Sequence, residues 1–420
     1  MVSGYADRGL PDDDSAGTAG SSGSDDGESY GRELRRKAAR NRRIRTGVAI
    51  GAVTAVILAV IAFYLWLRFY RYTEYQVNRE NQLNEGSLVG FELFDENVIK
   101  YSHDGASYID ASGREVWVDS FEMKSPMICV NGDYAVVADT EGNRLNIYDR
   151  TGKIGSGETL LPITKAAVSG TGVCACVIED NNASYITFFS KDGTELDITI
   201  KSVLAGDGYP VDIALSPSGT QLMVAYEYLD NLQFRSRIVF YDFSEIGKNI
   251  PNRLVGGFED IFDDSFAGRV RYIDAVYSYT VTDKGLTFFS SRNLASPELV
   301  KEVPVEGTIE SVFNYEGHVG YVMRNTESGG EESHVYKLVI LNEKGDEETV
   351  YEFDQDFRNV SADEKYIYII ATSRLSIVNK HGVTKYDGPI GETPREIRAT
   401  AIPWRFILTG NGSERSISFK

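Results

Sequence analysis

One pattern recurs along most of this chain, from about residue 87 to the C-terminus. Each copy has a short apolar stretch, a polar turn, a second and strongly apolar stretch, and a third stretch that ends in a turn with glycine. The stretches "VNGDYAVVADTEGNRLNIYDRTG" at 130–152 and "SADEKYIYIIATSRLSIVNKHG" at 361–382 show it clearly. Eight copies can be aligned, beginning near residues 94, 130, 168, 215, 273, 314, 361 and 401, at a spacing of roughly 42 residues.

A period of about 40–45 residues with four short strands is typical of the blades of a β-propeller. We therefore predict an all-β propeller of eight blades, or seven, each with four antiparallel strands. Two stacked β-sandwich domains are the alternative, and the regular spacing without a linker after residue 87 argues against them. The last copy ends after its third strand, and we expect a strand near 87–94, "SLVGFELF", to complete the final blade and close the ring.

An uncharged apolar run, Thr46 to Leu67, precedes the repeats. Its 22 residues would form a helix about 33 Å long, which matches a hydrocarbon core of about 30 Å. A secretory signal has a shorter apolar region and small residues at its cleavage site, whereas this run ends in aromatic residues suited to the membrane interface. We predict a retained transmembrane helix in contact with membrane lipid, with a cleaved signal or a buried soluble helix as alternatives.

Basic residues crowd the N-terminal side of this run. They include Arg35, Arg36, Lys37, Arg40, Arg42, Arg43 and Arg45. Because an excess of Lys and Arg marks the cytoplasmic side of a membrane, these residues predict the topology of a single-pass signal-anchor protein. The N-terminus would be cytoplasmic and the propeller extracytoplasmic. Binding to nucleic acid is an alternative role for the cluster, but contact with anionic lipid explains it more simply.

The chain thus divides into five predicted segments. They are a disordered Gly/Ser-rich acidic tail at 1–31, a basic juxtamembrane segment at 32–45, the transmembrane helix at 46–67, an interfacial stalk at 68–86 and the propeller at 87–420. The tail has almost nothing to bury, so it cannot form a catalytic domain.

One face of the predicted helix carries Gly47, Gly51, Ala55 and Ala59, each four residues from the next. Small residues at this spacing let two helices approach closely and form a homodimer. The general abundance of Gly and Ala in membrane helices explains the same pattern without a dimer.

The outer part of the chain is strongly acidic. Residues 83–420 contain 31 basic and 52 acidic residues, a net charge of −21, against −19 for the whole chain. Such a surface repels nucleic acid and anionic polymers and favours cations or basic partners, although solubility alone also explains it.

The three cysteines, Cys129, Cys174 and Cys176, are too few for a disulfide-stapled module or a zinc site, so we interpret them as buried thiols.

Carboxylates are dense in "GGFEDIFDDSF", an insertion between two copies. Glu259, Asp260, Asp263 and Asp264 are candidates for Ca²⁺ ligands, since hard cations take oxygen ligands. An acid pair for hydrolysis of a glycan is a further alternative, and a solvated acidic loop is the simplest interpretation. Aromatic residues alternate with the acids and could dock the loop onto the propeller or onto a partner.

Two turns give the repeats a family resemblance. "SYIDASGREVW" at 107–117 resembles the repeat of quinoprotein-type propellers, and "LSPSGTQLMVAY" at 215–226 is similar to the Ser-Pro-x-Gly turn of WD40 and TolB-like propellers. With the tail, the anchor and "RYTEYQVNRE", the arrangement resembles an uncharacterised family of membrane-anchored bacterial proteins with a domain of unknown function. This resemblance implies the propeller fold and an envelope location, but no activity and no cofactor.

The sequence contains no motif that supports catalysis, so we expect a binding or scaffolding module rather than an enzyme. Its partner would be a protein or a component of the cell wall. A transmembrane sensor that recruits a cytoplasmic partner and an envelope hydrolase with acids in the propeller funnel are the alternatives. Coordinates would separate them, because a hydrolase needs two carboxylates about 5–10 Å apart in one pocket.

Overall fold

A computed structural model describes residues 25–82, 88–95, 97–110, 114–262, 264–315, 317–325, 334–391, 394–400, 402–410 and 413–420. The chain divides after Arg68 into two compact units, an N-terminal helix and a unit that spans Phe69–Lys420. The predicted disorder of residues 1–24 lies outside the described residues.

The N-terminal unit is a single helix, α1, which spans Asp25–Phe69. Its last part, Arg45–Phe69, is long and apolar enough to cross a membrane, and it includes the predicted span 46–67. The helix also includes residues 25–31, the end of the predicted tail, and the basic segment 32–45. These residues are rich in Glu, Arg, Lys and Ala, which favour helix even where no apolar face forms.

The second unit contains eight four-stranded antiparallel sheets, which we call blades 1–8. Blades 1–4 consist of β2 Leu88–Phe94, β3 Asn97–Ser102, β4 Gly105–Ile109 and β5 Glu115–Ser120; β6 Pro126–Asn131, β7 Tyr134–Asp139, β8 Arg144–Asp149 and β9 Gly152–Glu158; β10 Ile163–Val168, β11 Cys174–Glu179, β12 Ala183–Phe189 and β13 Glu195–Val203; and β14 Tyr209–Leu215, β15 Gln221–Asp230, β16 Gln233–Asp242 and β17 Leu254–Phe258. Blades 5–8 consist of β18 Ala267–Tyr272, β19 Tyr277–Thr282, β20 Gly285–Ser290 and β21 Glu298–Pro304; β22 Gly307–Tyr315, β23 His318–Asn325, β24 Tyr336–Leu341 and β25 Glu347–Phe353; β26 Asn359–Ala362, β27 Tyr366–Ile370, β28 Arg374–Asn379 and β29 Thr384–Pro389; and β30 Pro394–Ala399, β31 Arg405–Gly410, β32 Ser413–Phe419 and β1 Tyr75–Gln82. The predicted eight-bladed propeller is confirmed, and three 3₁₀ turns, Gly247–Asn249, Pro251–Arg253 and Asp260–Phe262, lie between strands of blades 4 and 5.

The middle strands of each blade are buried on both faces, as their continuous apolar runs predict. All five residues of β27 are buried, and so are the first five of β11, including the thiols of Cys174 and Cys176. Outer strands such as β13 alternate between exposed and partly buried residues, because only one of their faces packs on the next blade. The turn glycines Gly193 and Gly382 have φ of +87° and +76°, which allows the tight hairpins that the repeat predicts.

The ring closes through β1, which pairs with β32 from Tyr75 opposite Phe419 to Gln82 opposite Ser413. The prediction that 87–94 completes the last blade is therefore wrong. That stretch forms β2, the first strand of blade 1, because it pairs locally with β3 through a tight turn. The closing strand, "YQVNRENQ", lies within the segment predicted as a stalk, and its polar composition reflects its position at the outer edge of a blade.

The ring has two faces. The closure face carries the turns between first and second strands and between third and fourth strands, and residues 70–74 join the ring there. On this face the amide of Tyr72 donates to the carbonyl of Lys385 at 2.7 Å, and that of Thr73 donates to the carbonyl of Lys420 at 2.9 Å. The buried ammonium of Lys385 donates to the carbonyl of Tyr70, which fastens the segment before β1. The opposite side, the hairpin face, carries the turns between second and third strands and the connections between blades.

Candidate functional site

A long hairpin in blade 4 extends beyond its own sheet on the hairpin face. Strands β15 and β16 have 10 residues each and pair along their whole length, from Gln221 opposite Asp242 to Asp230 opposite Gln233. The flanking strand β14 pairs with β15 only as far as Glu227, and β17 pairs with β16 only between Ile238 and Tyr241. The end of the hairpin, residues 228–236, therefore projects past both flanking strands.

Three apolar side chains stand at this end, and we call them the hairpin tip. Leu229 is 57%, Leu232 89% and Phe234 76% exposed. Leu229 and Phe234 lie directly opposite each other in the register, so their side chains share one face of the hairpin. Large apolar side chains that cluster in the open typically mark an interaction surface.

The turn itself is strained. Asn231 and Leu232 form a two-residue connection with φ of +49° and +69°. Asn tolerates this left-handed conformation, but a bulky residue rarely adopts it, and Gly is the usual second residue of such a turn. The chain therefore holds a leucine where a glycine would relieve strain, and backbone strain of this kind accumulates at functional positions.

Arg237 braces the hairpin against the connections on either side. Its guanidinium lies 5.0 Å from the ring centroid of Tyr228 and 5.6 Å from that of Tyr226. Nη1 donates to Oε1 of Glu259 at 3.1 Å, and Nη2 donates to the carbonyl of Asp207. The stacking and the two hydrogen bonds tie the hairpin to the connection before blade 4 and the connection after it.

The four acidic residues predicted from the sequence lie on the connection after blade 4, beside this hairpin. Glu259 pairs with Arg237, Asp264 forms an ion pair with Lys284, and Asp260 begins a 3₁₀ turn. The hydrogen bond and charge of Lys284 lower the pKa of Asp264. Asp263 lies outside the described residues, and among those described no three His, Cys, Asp or Glu side chains group so as to hold a metal ion.

Aromatic residues of the same connection dock it onto the propeller itself. Phe262 is fully buried in the core between blades 4 and 5, and Ile261 packs beside it. Phe258 lies 4.8 Å from Phe289, centroid to centroid. Of the two roles that the alternating aromatics predict, docking onto the propeller accounts for these residues, while Phe266 stays substantially exposed.

The remaining candidate residues lie on α1. No atom comes within 4 Å of the position that a Cβ would take at Gly47 or Gly51, so this side of the helix is open to close approach. Ala55 and Ala59 continue the same four-residue spacing along the helix. The predicted dimer seam stays a prediction, as does the orientation predicted from the basic residues between Arg35 and Arg45.

Sequence reasoning missed the hairpin tip. Its stretch "YEYLDNLQFRSR" lacks glycine and proline, so no strong turn signal separates the two strands. The available signal is the alternation of Leu229, Leu232 and Phe234 with polar residues around Asp230–Asn231, in strands too long for one blade.

Solved structures of other propellers are similar to this chain at low sequence identity. BamB from Moraxella catarrhalis has 14% identity and a TM-score of 0.49, covering 82% of this chain and 100% of that chain. The Dos1 propeller has 9% identity and a TM-score of 0.49, covering 84% and 95% of the two chains. The WD40 domain of Pan2 from Neurospora crassa has 7% identity and a TM-score of 0.42, covering 70% and 88%.

A search against curated proteins finds no match. The model of one protein family, described as a family of unknown function (DUF5711), matches residues 68–419. The match includes β1 and every blade of the propeller.

Proposed function

Because the chain belongs to the family DUF5711, which has no known function, we propose a role from its own residues: a membrane-anchored module that binds a protein partner outside the cytoplasm. The predicted membership in a family of unknown function is thereby confirmed. The proposed role is binding rather than catalysis, and the hairpin tip is its contact site.

The observation that carries this proposal is the exposure of three apolar side chains on one braced hairpin. Burial of a Leu or Phe side chain contributes about 1.5–3 kcal/mol, so the tip offers several kcal/mol to a partner with a matching pocket. Association loses less conformational entropy when the hairpin is already held, as it is by Arg237. A rigid aromatic and aliphatic anchor is the usual centre of a protein interface.

The charge of the propeller favours a protein over a lipid surface. Residues 83–420 carry a net charge of −21, which repels anionic lipid and nucleic acid. At the hairpin itself Asp230 is paired with Arg235 at 3.2 Å and Glu259 with Arg237 at 3.1 Å, so the excess acid belongs to the wider surface. The complementary partner is a protein with an apolar cleft rimmed by basic residues.

The sequence of α1 supports the proposal that this helix anchors the protein in a membrane. Arg45–Phe69 has the length and composition of a membrane span, and the basic residues before it support a cytoplasmic N-terminus. The hairpin face is the side of the ring opposite to the residues that continue from this helix, 70–74. In this arrangement the tip faces away from its own point of attachment and is accessible to a partner.

A cross-linking experiment in intact cells tests the contact site. A photoactivatable residue at position 232 should cross-link one distinct protein, whereas the same residue at position 160 should not. Leu160 is the matched control, because it is a 95% exposed leucine on the same face but on a different blade. The same cross-links from both positions, or none from position 232, would contradict the proposal.

Thiol labelling tests the orientation. The variant Leu232→Cys should react in intact cells with a small membrane-impermeant maleimide, and Ser3→Cys should react only after the cells are opened. Background from the native thiols should be low, because Cys174 and Cys176 are buried, Cys129 is partly buried, and desolvation raises the pKa of all three; the unsubstituted protein measures what remains. Labelling of Ser3→Cys but not of Leu232→Cys in intact cells would reverse the proposed topology.

A further inference from the structure

The first strand of each blade surrounds the centre of the ring, and these strands carry unexpected charge. First strands of neighbouring blades contact one another around most of the ring. In six of the eight blades the register between first and second strand shifts near the start of the first strand. An irregularity of this kind bends the strand and redirects its side chains. The residues that follow the shifts on these strands include Glu92, Lys165, Asp212, Arg269, Arg271 and Glu396.

These side chains reach into one shared channel. Glu92 belongs to blade 1 and Arg271 to blade 5, which lie opposite each other in a ring of eight, yet the charge of Arg271 partly offsets the rise that desolvation causes in the pKa of Glu92. Cys129 of blade 2 is within reach of the charges of Glu92, Lys165, Asp212 and Arg271. Both Glu92 and Arg271 are exposed to solvent although they lie on the innermost strands, so the channel is accessible to solvent.

Carboxylates and cations stand in different parts of the ring, although the charge of the buried Arg398 on blade 8 also acts on Glu396. Glu92 and Glu396 stand on the adjoining blades 1 and 8, while Lys165 and Arg269 stand on blades 3 and 5. Between these two cations, Asp212 of blade 4 accepts a hydrogen bond from Nη1 of Arg271 at 2.7 Å. Within the part of the chain that the structure describes, neither Glu92 nor Glu396 has a hydrogen-bond or ion-pair partner.

On blades 3 and 5, the ammonium group of Lys165 and the guanidinium group of Arg269 also lack a hydrogen-bond or ion-pair partner among the described residues. Two carboxylates without a hydrogen-bond or ion-pair partner among the described residues therefore stand on blades 1 and 8, and two such cations stand on blades 3 and 5. Charges that line a solvent-exposed site without pairing directly with one another suit a ligand with the complementary pattern.

We propose that this channel is a second binding site, for an amino acid or short peptide whose ammonium group faces Glu92 and Glu396 and whose carboxylate faces Lys165 and Arg269. A ligand with only one charged end would leave the other side of the channel unpaired. This site is separate from the hairpin tip and needs no partner protein.

The acidic side of the channel should also respond to pH. Desolvation raises the pKa of Glu92 to about 7 and that of Glu396 to about 8, and the charge of Glu92 adds to the latter shift. The other titratable or charged groups that interact with these two carboxylates are Tyr101, Cys129, Arg271, Asp363 and Arg398. Because a bound ammonium favours the ionised carboxylates, ligand affinity should rise between about pH 6 and 8.

The same carboxylates predict the pH dependence of stability. A carboxyl whose folded pKa lies above its unfolded value of 4.5 stabilises the fold at low pH, and this contribution is lost as pH rises through the folded pKa. The melting temperature should therefore fall between about pH 5 and 9, and it should fall less in Glu396→Gln. Glu302→Gln, on the exposed outer strand β21, should follow the unsubstituted protein. A melting temperature of Glu396→Gln that tracks the unsubstituted protein at every pH would refute this prediction.

Calorimetry on the full chain in detergent micelles tests the binding site with defined probes. The probes are free L-alanine, tri-alanine, N-acetyl-tri-alanine and tri-alanine amide. Saturable binding of L-alanine or tri-alanine is expected, with at least tenfold weaker binding when either end is blocked. Glu396→Gln and Arg269→Gln should each weaken binding at least tenfold, while the matched surface variants Glu302→Gln and Lys344→Gln should not.

The other possible results of the calorimetry would overturn the proposal. No saturable binding of either free probe removes the site, and binding that depends on one charged end alone removes its dipolar character. Glutamine keeps the shape of Glu396 and avoids burying a charge, so the variant should fold, and its thermal melt checks this. Unchanged affinity in the folded variant would exclude the Glu396 carboxylate from the binding site.

Discussion

A chain that begins at residue 84, without β1, should fail to form a stable propeller, whereas a chain that begins at Phe69 should fold. β1 supplies the whole fourth strand of blade 8, and its loss uncovers the pairing edge of β32. It would also remove Tyr72 and Tyr75, which pack against Phe419 at centroid distances of 5.8 and 6.2 Å. Since a folded domain is stable by only about 5–15 kcal/mol, losing a strand and two packed aromatics removes much of that margin.

Circular dichroism melts and size-exclusion chromatography would compare the two chains. The shorter chain should aggregate or melt without a cooperative transition. Adding a synthetic peptide of residues 69–84 to it should restore a cooperative melt, because the peptide can pair with β32 in the vacant position. A cooperative melt of the shorter chain alone, at the temperature of the longer one, would show that β1 does not close the ring.

Replacing the two most exposed residues of the hairpin tip by aspartate should abolish partner capture. In the variant with Leu232→Asp and Phe234→Asp, each charge would have to be buried in an apolar pocket, and such a loss at an interface centre costs about 3 kcal/mol or more. This corresponds to a loss of affinity of roughly 100-fold. The measurement is recovery of the protein that cross-links to position 232, after purification of the full chain from cells.

The matched control is Leu160→Asp, which adds charge to an equally exposed leucine of the same face. Neither variant should change the melting temperature by more than a few degrees, because the substituted side chains are mostly exposed to solvent. Equal loss of capture in both variants would indicate a general effect of added acid, and unchanged capture in both would exclude the tip.

The repeats were sufficient to predict the blades, because buried middle strands leave a strong signal. The runs "YAVVA" and "YIYII" form β7 and β27, and the turn glycines have the positive φ that the hairpins need. Of the three thiols interpreted as buried, Cys174 and Cys176 are buried in an apolar strand, whereas Cys129 is only partly buried. Each of these features depends on neighbours close in the sequence.

Features that depend on distant parts of the chain could not be predicted in the same way. Strand β1 is polar and pairs with residues more than 330 positions away, so neither its composition nor its neighbours identify it. The pairing of Glu259 with Arg237, which changes a candidate metal ligand into a brace, depends on how two connections converge on one hairpin. The opposition of Glu92 and Arg271 is visible only once the number of blades is known.

The pairing of β1 with β32 has a consequence for how the protein is made. The two strands that complete blade 8 are the first and the last of the propeller, so the ring stays open until Phe419 has left the ribosome. If α1 holds the chain at a membrane, nearly 350 residues must cross it before the final blade can assemble. A nonsense mutation anywhere in the last blade would therefore release a chain whose earliest strand has nothing to pair with, and envelope proteases would meet an open ring.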